Sequence, residues 1–457
     1  PIWVILLLTL LWRKILNELT TKQIFIFFSV CFMIFGLLLI FLTSFAGRDD
    51  AGTVFRGAVQ FNAGNFSLIK PGAYFYRYPH QLGMLSFERL FLYLIPLPVI
   101  SVFYVLNLAM VIGMNYATWK ITEVLFNRAH ISRLAVIMSF GFLPLVFNIM
   151  FAYGLMYGLF FSSFAILFFL RYLRHGKARN AIVSVIMLTL AYWVRSNNII
   201  LILALSGILI LLILREKRYT YLLLILAFFA FPMTMHKATT SYYEITTHQK
   251  ISGTPQIAWL AMGLQDEPDS KRMPGWYTGY VRKIYTKKKG NIDKIEKSAN
   301  HLFDKRVQYF LEHPDEASWF FSTKFISSWT EGSFQSIWNG PSKDKYQPLW
   351  NRFATSIYHD GTLHLFFVTY MQGYLLVLYL GGVFYYAFAY KRMGDGATLG
   401  LYAFLYLFGG ILFHLISETK SQYTLPYIYL QLPMIAAGYS HMSQKLCRFL
   451  KAMKKSS

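Results

Sequence analysis

The stretch IFIFFSVCFMIFGLLLIFLTSFAGRDD, residues 24–50, decides the class of this chain. It is apolar and free of charge until Arg48, and residues 24–45 are long enough to cross a hydrocarbon layer of about 30 Å as a helix. Arg13, Lys14 and Lys22 precede the run, so the bias of Lys and Arg toward the cytoplasmic side predicts that it passes outward. The adjacent carboxylates Asp49 and Asp50 then lie outside, at the mouth of an apolar helix.

Composition agrees over the whole length. Of 457 residues, 56% are hydrophobic, 18% aromatic and 14% charged, which is too apolar for a water-soluble globular chain. A net charge of +23 raises nucleic acid as a partner, but the Lys and Arg residues are scattered between apolar runs and build no basic stripe. Positive-inside topology and anionic lipid account for them, and no nucleic-acid partner is expected. The two cysteines, Cys31 and Cys447, supply no disulfide framework. The opening PIWVILLLTLLWRK is too short to cross a bilayer and lacks a small-residue cleavage site, which suggests an interfacial helix or the remnant of a span.

The same reading predicts further spans at 99–119, 134–151, 154–173, 181–194, 199–214, 219–235, 363–390, 397–416 and 423–439, with 82–95 as a helix entering at the interface. Five regions follow: an N-terminal segment and first span (1–45), a first external loop with the acidic pair (46–81), a membrane core (82–235), a large external and mainly helical domain (236–361), and C-terminal spans with a basic cytoplasmic tail (362–457). Both termini fall in the cytoplasm. The expected fold is an all-α polytopic membrane bundle of about 10–11 helices in a cell membrane, without the inverted repeat common among transporters.

Several polar residues are candidates for chemistry. Asp49 and Asp50 can take a proton from a hydroxyl, and either, Asp49 before Asp50, can also cap the helix expected near Ala51, the two roles not being exclusive. In YFYRYPHQLG, residues 74–83, the tyrosines fit an interfacial belt, whereas Arg77 is either shaped to grip a substrate phosphate or snorkels to ordinary lipid phosphate, and His80 stands beside it. The run between Arg179 and Arg195 is shorter than the roughly twenty residues of a full crossing. Arg195 therefore ends at or just below the outer surface, facing a polar cavity or snorkelling to lipid. Glu418, Lys420 and Tyr423 lie in SETKSQYTLPY, an external turn that is either one wall of a pocket or a solvated loop with a weak ion pair. No phosphate-binding glycine loop, zinc-protease pair or CxxC pair is present, so no metal and no cofactor are assigned.

These residues carry a resemblance. An acid just past the first span (DxxxVxxxA, residues 50–58), the YFYRYPHQLG element, TPQIAWLAMGL at 254–264 and the ExKSxYxLPY turn together resemble the GT-C superfamily of polytopic glycosyltransferases. The likeness is nearest to the bacterial branch related to protein O-mannosyltransferases and the aminoarabinose transferase, Gram-positive cell-envelope members above all. It spans most of the chain in topology and only these short stretches in residues. The resemblance implies a GT-C-like bundle and an inverting transferase that moves a sugar from a polyprenyl-phosphate-linked donor to a cell-envelope glycan or other extracytoplasmic acceptor. Asp50, or Asp49 if the register shifts by one, stands where the family's acceptor-activating acid stands. Arg77, Arg195 and Lys420 would hold the donor phosphate, with His80, Glu418 and Tyr423 completing the substrate site. Where many relatives carry proline after the acid, this chain has Ala51. Two other activities share the outward-facing layout: a lipid-linked glycan exporter or flippase, and a glycan polymerase or ligase.

Overall fold

The computed structural model describes residues 18–42, 47–267, 272–340, 351–359 and 361–456. The opening stretch at 1–14 lies outside the described residues. Among those described there is no strand. Helices α1 (Thr21–Leu42), α2 (Asp49–Asn62), α3 (Leu82–Leu94), α4 (Ser101–Phe126) and α5 (Ala129–Gly141) are followed by α6 (Gly154–His175), α7 (Ala178–Val194), α8 (Ile199–Glu216) and α9 (Tyr221–Thr247). A mainly polar segment folds as α10 (Ile257–Gly263), α11 (Tyr280–Lys287), α12 (Ile292–Glu312) and α13 (Pro314–Trp329). The chain then returns through α14 (Asn351–Tyr358), α15 (Thr362–Val383), α16 (Asp395–Ile416), α17 (Ser421–Tyr429) and α18 (Leu432–Ser456).

Among the described residues seven helices are long and apolar enough to span a membrane, and an eighth arises if α5 and the short helical stretch Pro144–Met150, bent by 47°, form one span. The protein is thus an all-α polytopic membrane protein. The expected ten exceeds this number because three segments are shorter or broken. The α7 helix is apolar but short, α5 stops at Gly141, and the segment expected at 423–439 is split between α17 and α18.

Local chemistry explains where these helices start and break. Thr20 and Gln23 exchange side-chain bonds to each other's backbone N–H, at 2.8 and 3.2 Å, a capping box that opens α1. Backbone groups freed inside an apolar bundle need partners. After α5, Asn107 of α4 donates to the carbonyls of Ile149 and Phe151 at 3.0 and 3.3 Å. At the α7–α8 break, Asn198 donates to Ala191 O at 2.8 Å and accepts from Ser162 at 3.2 Å.

The α4 and α6 helices form the centre: α6 packs against α4 and α7, α7 against α9, and α8 against α9 and α16. The polar segment has small cores of its own, such as Ala258, Met262, Val281 and Ala299, and Tyr78 from the first loop packs on that one. Contact between α3 and the end of α7 depends on Gly83, where a Cβ would lie 1.8 Å from the carbonyl oxygen of Trp193.

Gly83→Ala is therefore expected to lose more than the ~1–3 kcal/mol typical of overpacking. Gly373 of α15 has nothing within 4 Å of a built Cβ, so Gly373→Ala should leave stability unchanged or slightly higher. Thermal denaturation of both variants in detergent checks the contrast.

Candidate functional site

The candidate residues gather at the end of the bundle where α1 gives way to α2. Each stands at or beside a chain reversal: Asp50 in the first turn of α2, Arg77 and His80 before α3, Arg195 between α7 and α8, and Glu418 and Lys420 between α16 and α17. Helix ends suit this role because side chains there escape the flanking apolar packing while their backbone stays fixed.

The two adjacent aspartates separate. Neither caps α2: the N-cap is Arg48, and it makes no side-chain cap bond. Asp49 adopts a left-handed φ of 45°, which Asp tolerates better than most residues. Its side chain is 67% exposed and pairs with Arg48 at 3.5 Å. Arg48 itself stacks 4.0 Å from the centroid of Trp338 and donates to the carbonyls of Trp338 and Gly340.

Asp50 turns toward the other candidates. The residue is exposed, like Asp49, yet protein surrounds its carboxyl on the other sides, and that partial loss of water raises its pKa. A hydrogen bond from Tyr74 and the charges of Lys420 and Arg77 oppose the rise, and the charge of Asp49 adds to it. Tyr74 is also bonded to Tyr153, whose hydroxyl accepts from Gln81 Nε2 at 2.7 Å.

The opposite wall is the turn after α16. Tyr423 donates to Glu418 Oε1 at 3.2 Å. Burial pushes the Glu418 carboxyl up to about 6 from 4.5; Lys420, Tyr423 and Lys324 pull it down, and Asp50 pushes it further up. Arg195 lies 5.8 Å from the Tyr423 ring centroid, and Lys420 lies 5.9 Å from that of Trp338.

Arg77 is anchored through its backbone, since its carbonyl accepts from Thr254 N and Oγ1 at 3.1 and 3.2 Å. Its guanidinium lies 5.3 Å from the Tyr78 ring centroid, and its buried Nε has no hydrogen-bond partner. A buried cationic donor without an acceptor is costly, and an incoming anion removes that cost.

His80 is placed differently. Burial, with His236 nearby, lowers its pKa to about 4, and its ring sits 5.9 Å from Trp259 and 6.1 Å from Tyr78. It is a neutral imidazole in an aromatic wall, apart from the cations. Asp50, Arg77, Glu418, Lys420, Tyr423 and Arg195 are brought together; Asp49 faces solvent and His80 lines the flank. Among the described residues no three His, Cys, Asp or Glu side chains converge as metal ligands.

Sequence reading passed over Lys324, which shapes the site from behind. Its buried ammonium donates to the carbonyls of Gly263, Leu415 and Ser417 at 2.6, 2.8 and 2.9 Å, so α13 holds the end of α16 against the end of α10. Gly263 permits this, because a Cβ there would lie 2.4 Å from Ser417 C. Tyr74 and Tyr153 were also missed, since an aromatic in an interfacial stretch gives no sign of which hydroxyl turns inward. Compared with protein-family models and with curated proteins, the chain matches none.

Glu418 generates a stability test. A folded-state pKa raised above the unfolded value means that the fold holds the proton more tightly, so this stabilisation is full below pH 4.5 and is lost as pH rises through about 6. The melting temperature of the wild type should fall more between pH 4.5 and 6.5 than that of Glu418→Gln, measured side by side in detergent.

Proposed function

We propose that this protein is a membrane glycosyltransferase of the GT-C type. It would move a sugar from a polyprenyl-phosphate-linked donor to a cell-envelope glycan or other extracytoplasmic acceptor. The observation that carries the reading is the meeting of one base, Asp50, with the cations Arg77 and Lys420 at one end of an apolar bundle. The Lys and Arg bias of the loops supports an outward-facing site in the cell membrane.

The chemistry asks for these groups. The acceptor oxygen attacks the anomeric carbon from the face opposite the phosphate and gives its proton to the Asp50 carboxylate. The bond from that carbon to the phosphate oxygen breaks, and the lipid phosphate leaves with the electron pair. Configuration at the anomeric carbon inverts. A carboxylate with a raised pKa is a stronger base than an ordinary aspartate, and Tyr74 keeps it aimed. Arg77, Arg195 and Lys420 would meet the charge growing on the leaving phosphate as donors already positioned by the fold, which need no rearrangement while that charge develops. The donor arrives activated, so the reaction needs no nucleotide.

Asp50→Asn should lower transfer by about 10²–10⁴-fold while Asp49→Asn keeps most of it. Lipids and envelope glycans from cells carrying each variant, compared by mass spectrometry, supply the measurement. Accumulation of a polyprenyl-phosphate sugar in cells lacking the protein and in Asp50→Asn cells is expected. Full restoration of the glycan by Asp50→Asn would overturn the assignment.

The pH profile gives a second check. Removing the negative charge of Asp49 should move the acidic limb of the rate profile to lower pH, and Lys420→Met should move it to higher pH, because the two charges act on Asp50 in opposite directions.

A further inference from the structure

A second polar feature sits on the outer wall of the bundle. Between α3 and α9 lies an open cavity of about 420 Å³, lined by Asn62, Ser86, Arg89, Ala238, Thr239 and Tyr243 among others, with no carboxylate in its lining. Its rim is apolar and uncovered: Leu90 is 54% exposed, Tyr93 81% and Tyr242 51%. The lining residues of α9 run from Met235 to Tyr243, roughly 21–33 Å along the axis from Tyr221. With Tyr221 taken at one boundary of a hydrocarbon layer about 30 Å thick, the cavity falls where acyl chains give way to head groups.

Arg89 is held rigidly there. Its Nε donates to Asn62 Oδ1 at 3.0 Å, Nη1 to Tyr243 at 3.0 Å and Nη2 to Phe61 O at 3.4 Å, while Asn62 Nδ2 returns a bond to Arg89 O at 3.0 Å. Ser86 and Tyr243 close the network at 2.9 Å. Three of the five guanidinium N–H groups are thereby used among the described residues, leaving two, and the charge is met there only by the rings of Phe61, Phe66 and Tyr243 at 5.6–5.8 Å, with no carboxylate paired to it.

We propose that this cavity binds the phosphate of an anionic glycerophospholipid, with Arg89 as the cation and the apolar rim against the acyl chains. The donor of the transfer reaction is not the occupant. Asn62 and Asp50 stand at opposite ends of α2, roughly 18 Å apart along its axis, so a phosphate seated on Arg89 cannot present its sugar to Asp50.

Native mass spectrometry of the full chain tests this, with dioleoyl phosphatidylglycerol, dioleoyl phosphatidylcholine and inorganic phosphate as probes. One phosphatidylglycerol should bind at least about tenfold more tightly than phosphatidylcholine, and millimolar inorganic phosphate should not displace it. Because Arg89→Gln also removes bonds that join α2, α3 and α9, the deciding variants fill the open space instead. Ala238→Trp and Leu90→Trp, both at exposed positions, should abolish the preference, and Asp50→Asn should keep it. Equal binding of the two lipids, displacement by free phosphate, or a preference that survives both tryptophan variants overturns the proposal.

Discussion

The ammonium of Lys324 is the joint on which the candidate site depends. Three carbonyl oxygens from two separate stretches, Gly263 on one side and Leu415 and Ser417 on the other, converge on it. A buried ammonium must have all three N–H groups satisfied, and carbonyls at a helix end need donors; each solves the other's problem. The result locks the polar segment between α9 and α14 onto the end of α16. Around that lock, Thr419 N donates to Gly275 O at 3.0 Å, Thr424 Oγ1 to Ser328 O at 3.0 Å and Ser421 Oγ to Glu331 at 2.6 Å. The turn bearing Glu418 and Lys420 is fixed from behind before any ligand arrives.

Two of the site's cations come from interruptions between otherwise apolar helices. Arg195 is extended backbone between α7 and α8, and Lys420 is extended backbone ahead of α17. Each break releases backbone groups, and neighbouring side chains such as Asn198 take them up. Building a site this way confines irregular backbone to places where protein surrounds it, as an apolar environment demands.

Electrostatics inside the recess follows from placement. One carboxyl, Asp50, is partly desolvated though exposed and has Tyr74 and two cations within reach, while Asp49 pairs with Arg48. Two identical side chains in adjacent positions thus acquire different properties. The left-handed backbone at Asp49 accompanies the divergence.

The sequence by itself determined the membrane class, the positions of most apolar helices and the helical nature of the polar segment. Apolar length and the Lys and Arg bias are local properties, legible one segment at a time. It did not determine that α9 continues to Thr247, because the polar run after Met235 reads as loop; Thr239 and Tyr243 are buried only once α3 and α7 lie beside them. Nor could it choose between Asp49 and Asp50, find Lys324, or place His80 among aromatic rings instead of cations. Those outcomes were decided by tertiary structure, because a side chain's water, partners and charge state are set by residues distant in sequence that packing brings within a few ångströms.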